Sequence, residues 1–220
     1  MDDHERSTLQ QTEVGGLIAK AYELQADDRD EEASLIWVKV AEDIWPVLDS
    51  VIEGLKLDHK PTEDKVDRSY EKEYDLNDVL SDIDSGLVYA RKHEERLEFN
   101  RRILDTFDTS KERFQYLGAK QGIAESLNAL GRYEECDAFL DEWKAENRDE
   151  VYPDVVRLIC LAARKKLDEA EALADRMMEV ETFNAPGEDV IVLFELIIQI
   201  YREAGRMDKV AEAEARIKLG

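Results

Sequence analysis

Three segments of the chain read on a common template: ALGRYEECDAFL at 129–140, ARKKLDEAEALA at 163–174 and EAGRMDKVAEAE at 203–214. Each is a turn followed by an acidic pair or near-pair. Gly131 and Lys165 lie 34 residues apart and Gly205 follows after 40, the stretch ETFNAPGED around Pro186 supplying the excess. A period of helix, short turn and helix describes a hairpin that cannot bury its apolar face alone and must lay it on the hairpin before it. The composition agrees. Only four prolines and ten glycines interrupt the chain, so helix can propagate over long stretches. With 43% apolar residues in 220, a continuous core can be buried.

Upstream of these segments the periodicity is helical but less regular. Ile18, Ala21, Tyr22 and Leu24 predict a first helix over Leu17 to Leu24, and the polar run ADDRDE then reads as a turn. A second helix begins near Glu31 and carries Ala33, Ile36, Trp37, Val40, Ala41 and Ile44 to Trp45. Pro46 is expected to kink or restart this helix, or to be accommodated in a first turn. The stretch DHKPTEDKVDRSY at 58–70 reads as a long polar connection or mobile loop, and a boundary between subdomains belongs there. Helix resumes near Asp75 with Leu76, Val79, Leu80, Ile83 and Leu87 on one stripe, followed by the less regular set Leu97, Ile103, Leu104 and Phe107. DTSKE at 108–112 marks a fresh start, with Asp108 or Ser110 as the cap. The expected organisation is a hairpin over 1–56, a polar connection over 57–72, a helical pair over 73–115 and repeats over 116–220, joined as one continuous solenoid. Trp37, Trp45 and Trp143 fall on apolar stripes and belong to the core unless one is exposed in a groove as a binding anchor.

The C-terminal segments resemble the tetratricopeptide repeat. In the first unit Ile123, Ala124, Leu127, Gly131, Tyr133, Cys136, Leu140 and Trp143 occupy its pattern; in the second, less closely, Leu158, Leu161, Leu167, Ala170, Ala174 and Met177 do so. In the third, Phe194, Ile197, Ile198, Tyr201, Gly205, Met207 and Val210 match, while Glu214 replaces an apolar residue as a solvent-facing terminal repeat would require. Cys136 and Ala170 supply the small side chains that let paired helices approach. The resemblance covers 116–220 and implies an all-α fold of antiparallel hairpins stacked as a right-handed superhelix. It also implies a concave groove lined by first helices, for an extended peptide or a partner's helix. Carried onto this sequence, that groove is Gln121, Glu125 and Asn128, then Tyr152, Val155 and Ile159, then Glu195, Gln199 and Arg202. Asn128 is the foremost candidate, since an amide can both donate to and accept from a peptide backbone. The basic clamp that some members use for a chaperone's C-terminal carboxylate is not reproduced.

Lys and Arg total 30 against 53 Asp and Glu, a formal charge of -23 that repels nucleic acid and anionic membranes, serves solubility and favours basic partners. The only cysteines, Cys136 and Cys160, sit in apolar helical patterns and read as reduced, buried thiols of a cytoplasmic protein. The opening MDDHERSTLQQTEVGG has neither a basic n-region nor an apolar h-region, and no apolar run reaches a membrane span. His4, His59 and His93 are the only histidines, and no HExxH, P-loop, GxGxxG, GxSxG or CxxC pattern occurs, so no catalytic residue, metal site or cofactor is assigned. His93 reads as surface charge pairing, and the locally basic stretch Arg91 to Arg102 as paired with neighbouring carboxylates or open to an acidic partner. Asp75 with Asp78, or Asp82 with Asp84, could touch a cation without forming a dedicated calcium loop.

These observations lead to a noncatalytic scaffold binding a protein or peptide. Two other readings stand beside it: a sensor or hydrolase with a pocket between helices near Asp75 to Asp84, and a homo-oligomeric module joined through an end hairpin.

Overall fold

The computed structural model describes residues 13–69, 74–109, 113–146, 150–179 and 187–217, and its regular structure is α-helical throughout. The helices are α1 (Glu13–Ala26), α2 (Asp30–Leu55), α3 (Glu63–Asp67), α4 (Leu76–Tyr89), α5 (His93–Thr106) and α6 (Arg113–Ala129), then α7 (Tyr133–Glu146), α8 (Tyr152–Ala163), α9 (Leu167–Met178), α10 (Gly187–Glu203) and α11 (Met207–Ile217). They fall into two compact units, Met1–Leu130 and Gly131–Gly220. Within the first, α1 pairs with α2, α4 lies on α2 and pairs with α5, and α6 lies on α5; within the second, α7 meets α8, α8 pairs with α9, and α10 lies on α9 and pairs with α11.

One corner is used again and again. Asp28, Arg91, Gly131, Lys165 and Gly205 each have positive φ between two helices. At four of these the next amide turns back across the corner: Arg29 N–H donates to the Leu24 carbonyl at 2.9 Å, Lys92 to Leu87 at 2.9 Å, Lys166 to Leu161 at 3.0 Å and Arg206 to Tyr201 at 2.8 Å. This is the Schellman closure of a helix end, and it satisfies a carbonyl that would otherwise be orphaned. The residue after the left-handed one is basic at every corner. Arg29, Lys92, Arg132 and Lys166 each pair with the glutamate three residues on, Glu32, Glu95, Glu135 and Glu169. Those glutamates lie in the first turn of the following helix, where negative charge meets the positive end of its dipole. One residue further along, Ala33, Arg96, Cys136, Ala170 and Val210 donate their amides to the carbonyl of the basic residue and are all buried.

In the first unit Ile18, Ala21 and Leu24 of α1 face Ala33, Trp37, Val40 and Ile44 of α2, with the Tyr22 ring edge-on to Trp37 at 5.2 Å and 82°. α1 extends beyond the expected Leu17 to Leu24. α2 continues without interruption through Pro46, which is exposed. The lost hydrogen bond belongs to the outer side of the helix, while Trp45 and Leu48 flanking the proline are buried and keep the chain helical. Within the polar stretch, residues 58–69 are more ordered than expected, because they contain α3, capped by Thr62 Oγ1 accepting from the Lys65 amide. Val66 is fully buried there, Asp67 accepts the Leu76 amide at 3.0 Å, and the Pro61 carbonyl accepts the Asp108 amide at 2.7 Å. The expected cap at Ser110 lies outside the described residues, as do His4, Tyr70 and Pro186.

The second unit is built on Leu158, Leu161, Ala170, Leu173 and Ala174, with Phe194, Ile197, Ile198 and Tyr201 of α10 laid against them. The bulky turn positions of the sequence pattern do not all enter the core: Tyr133 is 43% exposed and Met207 63%. All three tryptophans are buried, and Trp143 packs near Tyr152, ring centroids 6.1 Å apart.

Helix contact in the first unit rests on missing side chains. A Cβ on Gly86 would stand 2.4 Å from the Trp37 Cβ, and one on Gly122 would stand 2.4 Å from the Asn100 amide nitrogen. At Gly86 the neighbour is the root of a buried ring and has nowhere to go. Gly86→Ala is therefore expected to cost roughly 1–3 kcal/mol in urea unfolding, as overpacking does. Gly16→Ala, in a helix with open space around the added methyl, should be neutral or gain up to about 1 kcal/mol.

Candidate interaction surface

The corner between α4 and α5 departs from the others at one position, with consequences for three helices. Where the remaining corners place Ala33, Cys136, Ala170 and Val210, this one places Arg96, which is 6% exposed. Its Nε and Nη2 donate to the two carboxylate oxygens of Asp84 on α4, both at 2.8 Å, and its Nη1 donates to Glu125 Oε2 on α6 at 2.9 Å. Asn100, one turn further along α5, donates to Asp84 Oδ1 at 2.6 Å and to the Arg96 carbonyl at 3.0 Å. Burial pulls the guanidinium's pKa down, but the two carboxylates outweigh it and hold the pKa above the ordinary value. The cluster thus spends its polar groups on one another. Arg96→Ala, which strands both carboxylates, is expected to destabilise by roughly 3–5 kcal/mol in urea unfolding.

The nine residues assigned to a groove divide between the units, three on α6 and six on α8 and α10. On α6, Gln121 donates to Glu125 Oε1 at 2.8 Å, so both side chains already serve the Arg96 cluster; Asn128 is half-buried a turn beyond. On α8, Tyr152, Val155 and Ile159 share one face, all half-buried, with Val155 at the edge of the second unit's core. On α10, Glu195, Gln199 and Arg202 share an exposed face, Gln199 donating to Glu203 at 3.1 Å and Arg202 to Glu214 at 2.7 Å.

Carboxylates that the sequence grouped loosely come together with two tyrosines. Tyr22 of α1 and Tyr74 stack at 4.5 Å and border an open hollow of about 370 Å³ with Asp75, Asp78, Ser81 and Asp82. The Tyr22 hydroxyl donates to Asp82 Oδ2 at 2.8 Å. Burial raises the Asp82 pKa, the phenol's hydrogen bond opposes it, and neighbouring Asp78 adds to the rise. Asp84, by contrast, belongs to Arg96.

Elsewhere, Cys136 and Cys160 are both buried and free, their sulfurs 3.9 Å apart. Cys160 beside it holds the Cys136 thiol below the usual range despite burial, with Arg164 assisting. Arg164 donates to both oxygens of Asp137 at 2.9 Å and lies over the Tyr133 ring at 4.7 Å. Lys209 bridges Glu171 at 2.6 Å and Asp175 at 2.7 Å, while Arg206 joins Glu171 and Tyr201 donates to Asp175 at 2.9 Å. Within the basic stretch, Lys92 pairs with Glu95 and Arg102 with Asp49, while the Nδ1 of half-buried His93 has no hydrogen-bond partner among the described residues. His59 meets Asp58 at 2.7 Å. Among the described residues no cluster of three or more His, Cys, Asp or Glu is placed to hold a metal ion, and no helix is long and apolar enough to cross a membrane.

No family model and no curated protein matches the chain. Among solved structures, the crystal structure of a thermophilic TPR protein from Thermus thermophilus is similar at 15% sequence identity, covering 93% of this chain and 89% of that one with a TM-score of 0.47.

An acid whose folded pKa is raised subtracts stability at neutral pH, and the loss vanishes once the pH falls below its unfolded value. Asp82→Asn is therefore expected to raise the unfolding midpoint at pH 7 and to leave it unchanged near pH 3, measured by thermal melts at both.

Proposed function

We propose that this chain is a noncatalytic, tetratricopeptide-like scaffold whose first-helix faces receive an extended peptide or a partner's helix, with the hairpins stacked in the right-handed sense of that family. The observation that carries this reading is the repeated corner. The corners at Asp28, Arg91 and Lys165 each combine a left-handed residue, a back-bonded amide and a basic-acidic pair, those at Gly131 and Gly205 share two of the three features, and such recurrence is what a helical-hairpin repeat requires. Such repetition presents side chains at regular intervals, which suits a ligand that is itself extended. The polar clusters described above support the noncatalytic half of the proposal, because Arg96, Asp84 and Glu125 are committed to one another, as are Lys209, Glu171 and Asp175.

The candidate contacts are Asn128 on the first unit and Val155, Ile159 and Gln199 on the second. Gln121 and Glu125 are better read as support for α6 than as ligand contacts, given their bonds to each other and to Arg96. The large negative charge favours basic segments among the possible ligands.

Selection of a displayed peptide library on the full chain, followed by pull-down of the recovered sequences, tests the assignment. Asn128→Ala combined with Gln199→Ala is expected to weaken the selected peptides by roughly 10-fold, about 1.4 kcal/mol. A folded double variant that keeps every peptide at full strength would remove these residues from the binding surface.

A further inference from the structure

A second groove lies between second helices of the first unit. Val38, Ala41 and Trp45 of α2 and Phe99 of α5 form the apolar part of an open hollow of about 470 Å³. The Trp45 and Phe99 rings meet at 5.6 Å, and Arg102 lies over Trp45 at 4.5 Å while donating to Asp49 at 2.6 Å. Its remaining rim is acidic. Glu95 is neutralised by Lys92, but Glu42, Glu98 and Asp105 have no ion-pair partner among the described residues. Of the two arginines among the described lining residues, Arg102 is paired with Asp49, which leaves Arg101 against those three carboxylates. From Glu95 to Asp105 the α5 wall runs roughly 15 Å at the rise of an α-helix, long enough to seat about three turns of a second helix.

We propose that this groove docks a basic amphipathic segment of a partner protein, its apolar side chains on Val38, Ala41, Trp45 and Phe99 and its lysines or arginines toward Glu42, Glu98 and Asp105. Charge decides between occupants. A second copy of this chain would bring a formal charge of -23 against the same charge, and the repulsion opposes docking. A neutral small molecule would leave the three carboxylates without a partner. A basic segment answers both the apolar floor and the acidic rim, by the helix-in-groove mode. The site is separate from the first-helix faces on α6, α8 and α10, so the two assignments succeed or fail independently.

The test is fluorescence anisotropy of a labelled leucine-lysine amphipathic peptide, about 14 residues or four helical turns long, titrated with the full chain at about 150 mM salt. Binding is expected, with weakening of roughly 10-fold on Ala41→Trp, which fills the hollow, and on the triple change Glu42→Gln, Glu98→Gln and Asp105→Asn. A control triple of equal charge change on exposed residues elsewhere, Glu134→Gln, Glu142→Gln and Glu212→Gln, should leave affinity unchanged. Circular dichroism confirms that each variant is folded. Equal losses in the two triples would reduce the effect to a general attraction between polyanion and polycation and overturn the proposal. So would undiminished binding to folded Ala41→Trp, or loss of binding in the Asn128→Ala, Gln199→Ala variant. Sedimentation showing a dimer of the native chain that Ala41→Trp dissociates would assign the groove to a second copy instead.

Discussion

Everything in this fold depends on reversing a helix within three residues without leaving polar backbone exposed to the core. The solution is a single left-handed residue followed by an amide that turns back to the last helical turn. Within a unit, once that corner is made the next helix turns back along the last, and the buried residue four positions past the basic one sets how closely the two can lie. The basic-acidic pair at the start of the second helix then adds a local electrostatic tie. Exposed pairs of this kind are individually weak. Their value is in fixing the helix start where the dipole and the carboxylate agree.

The first unit shows what happens when the close-approach position is filled by a large charged residue. Arg96 cannot be accommodated as Ala33 or Ala170 is, so α4 and α6 each supply a carboxylate, and Gly122, with no side chain, leaves room for Asn100 to join them. Three helices are thereby cross-linked by a geometry that admits one register. Apolar packing under Trp37 at Gly86 achieves the same exclusivity by shape alone. The unit therefore has one joint specified by volume and another specified by hydrogen-bond direction.

Much of this is legible in the residues. The stripe Leu76, Val79, Leu80, Ile83 and Leu87 is buried as its spacing demands, and the corners at Gly131, Lys165 and Gly205 follow from their common template. The corners at Asp28 and Arg91 lie outside that template and, like Lys165, carry no glycine at the left-handed position. Their signal is present in another form: DRDEEA at 28–33 and RKHEER at 91–96 share the basic residue and acidic pair of GRYEEC at 131–136. The irregular apolar set of α5 has the same kind of explanation. Arg96 and Asn100 occupy core positions there, and a hydrophobicity pattern has no means of recognising an arginine whose partners lie on α4 and α6. Pro46 does not restart the helix, because α2 continues through it between the buried Trp45 and Leu48. The groove assignment cannot be improved from sequence, as it turns on whether Glu125 faces a ligand or an arginine twelve residues beyond Asp84.

Because antiparallel helices alternate direction, the matched corners within each unit fall at one end of its helices and the connections between hairpins fall at the other. The corner hardly changes, whereas those connections range from the short span after α7 to the stretch holding α3. Each unit accordingly has a rim of constant geometry and a rim open to insertion. Growth in loop length can reshape the second without disturbing a single hairpin closure, which leaves the stack free to acquire new surface features at a cost confined to one edge.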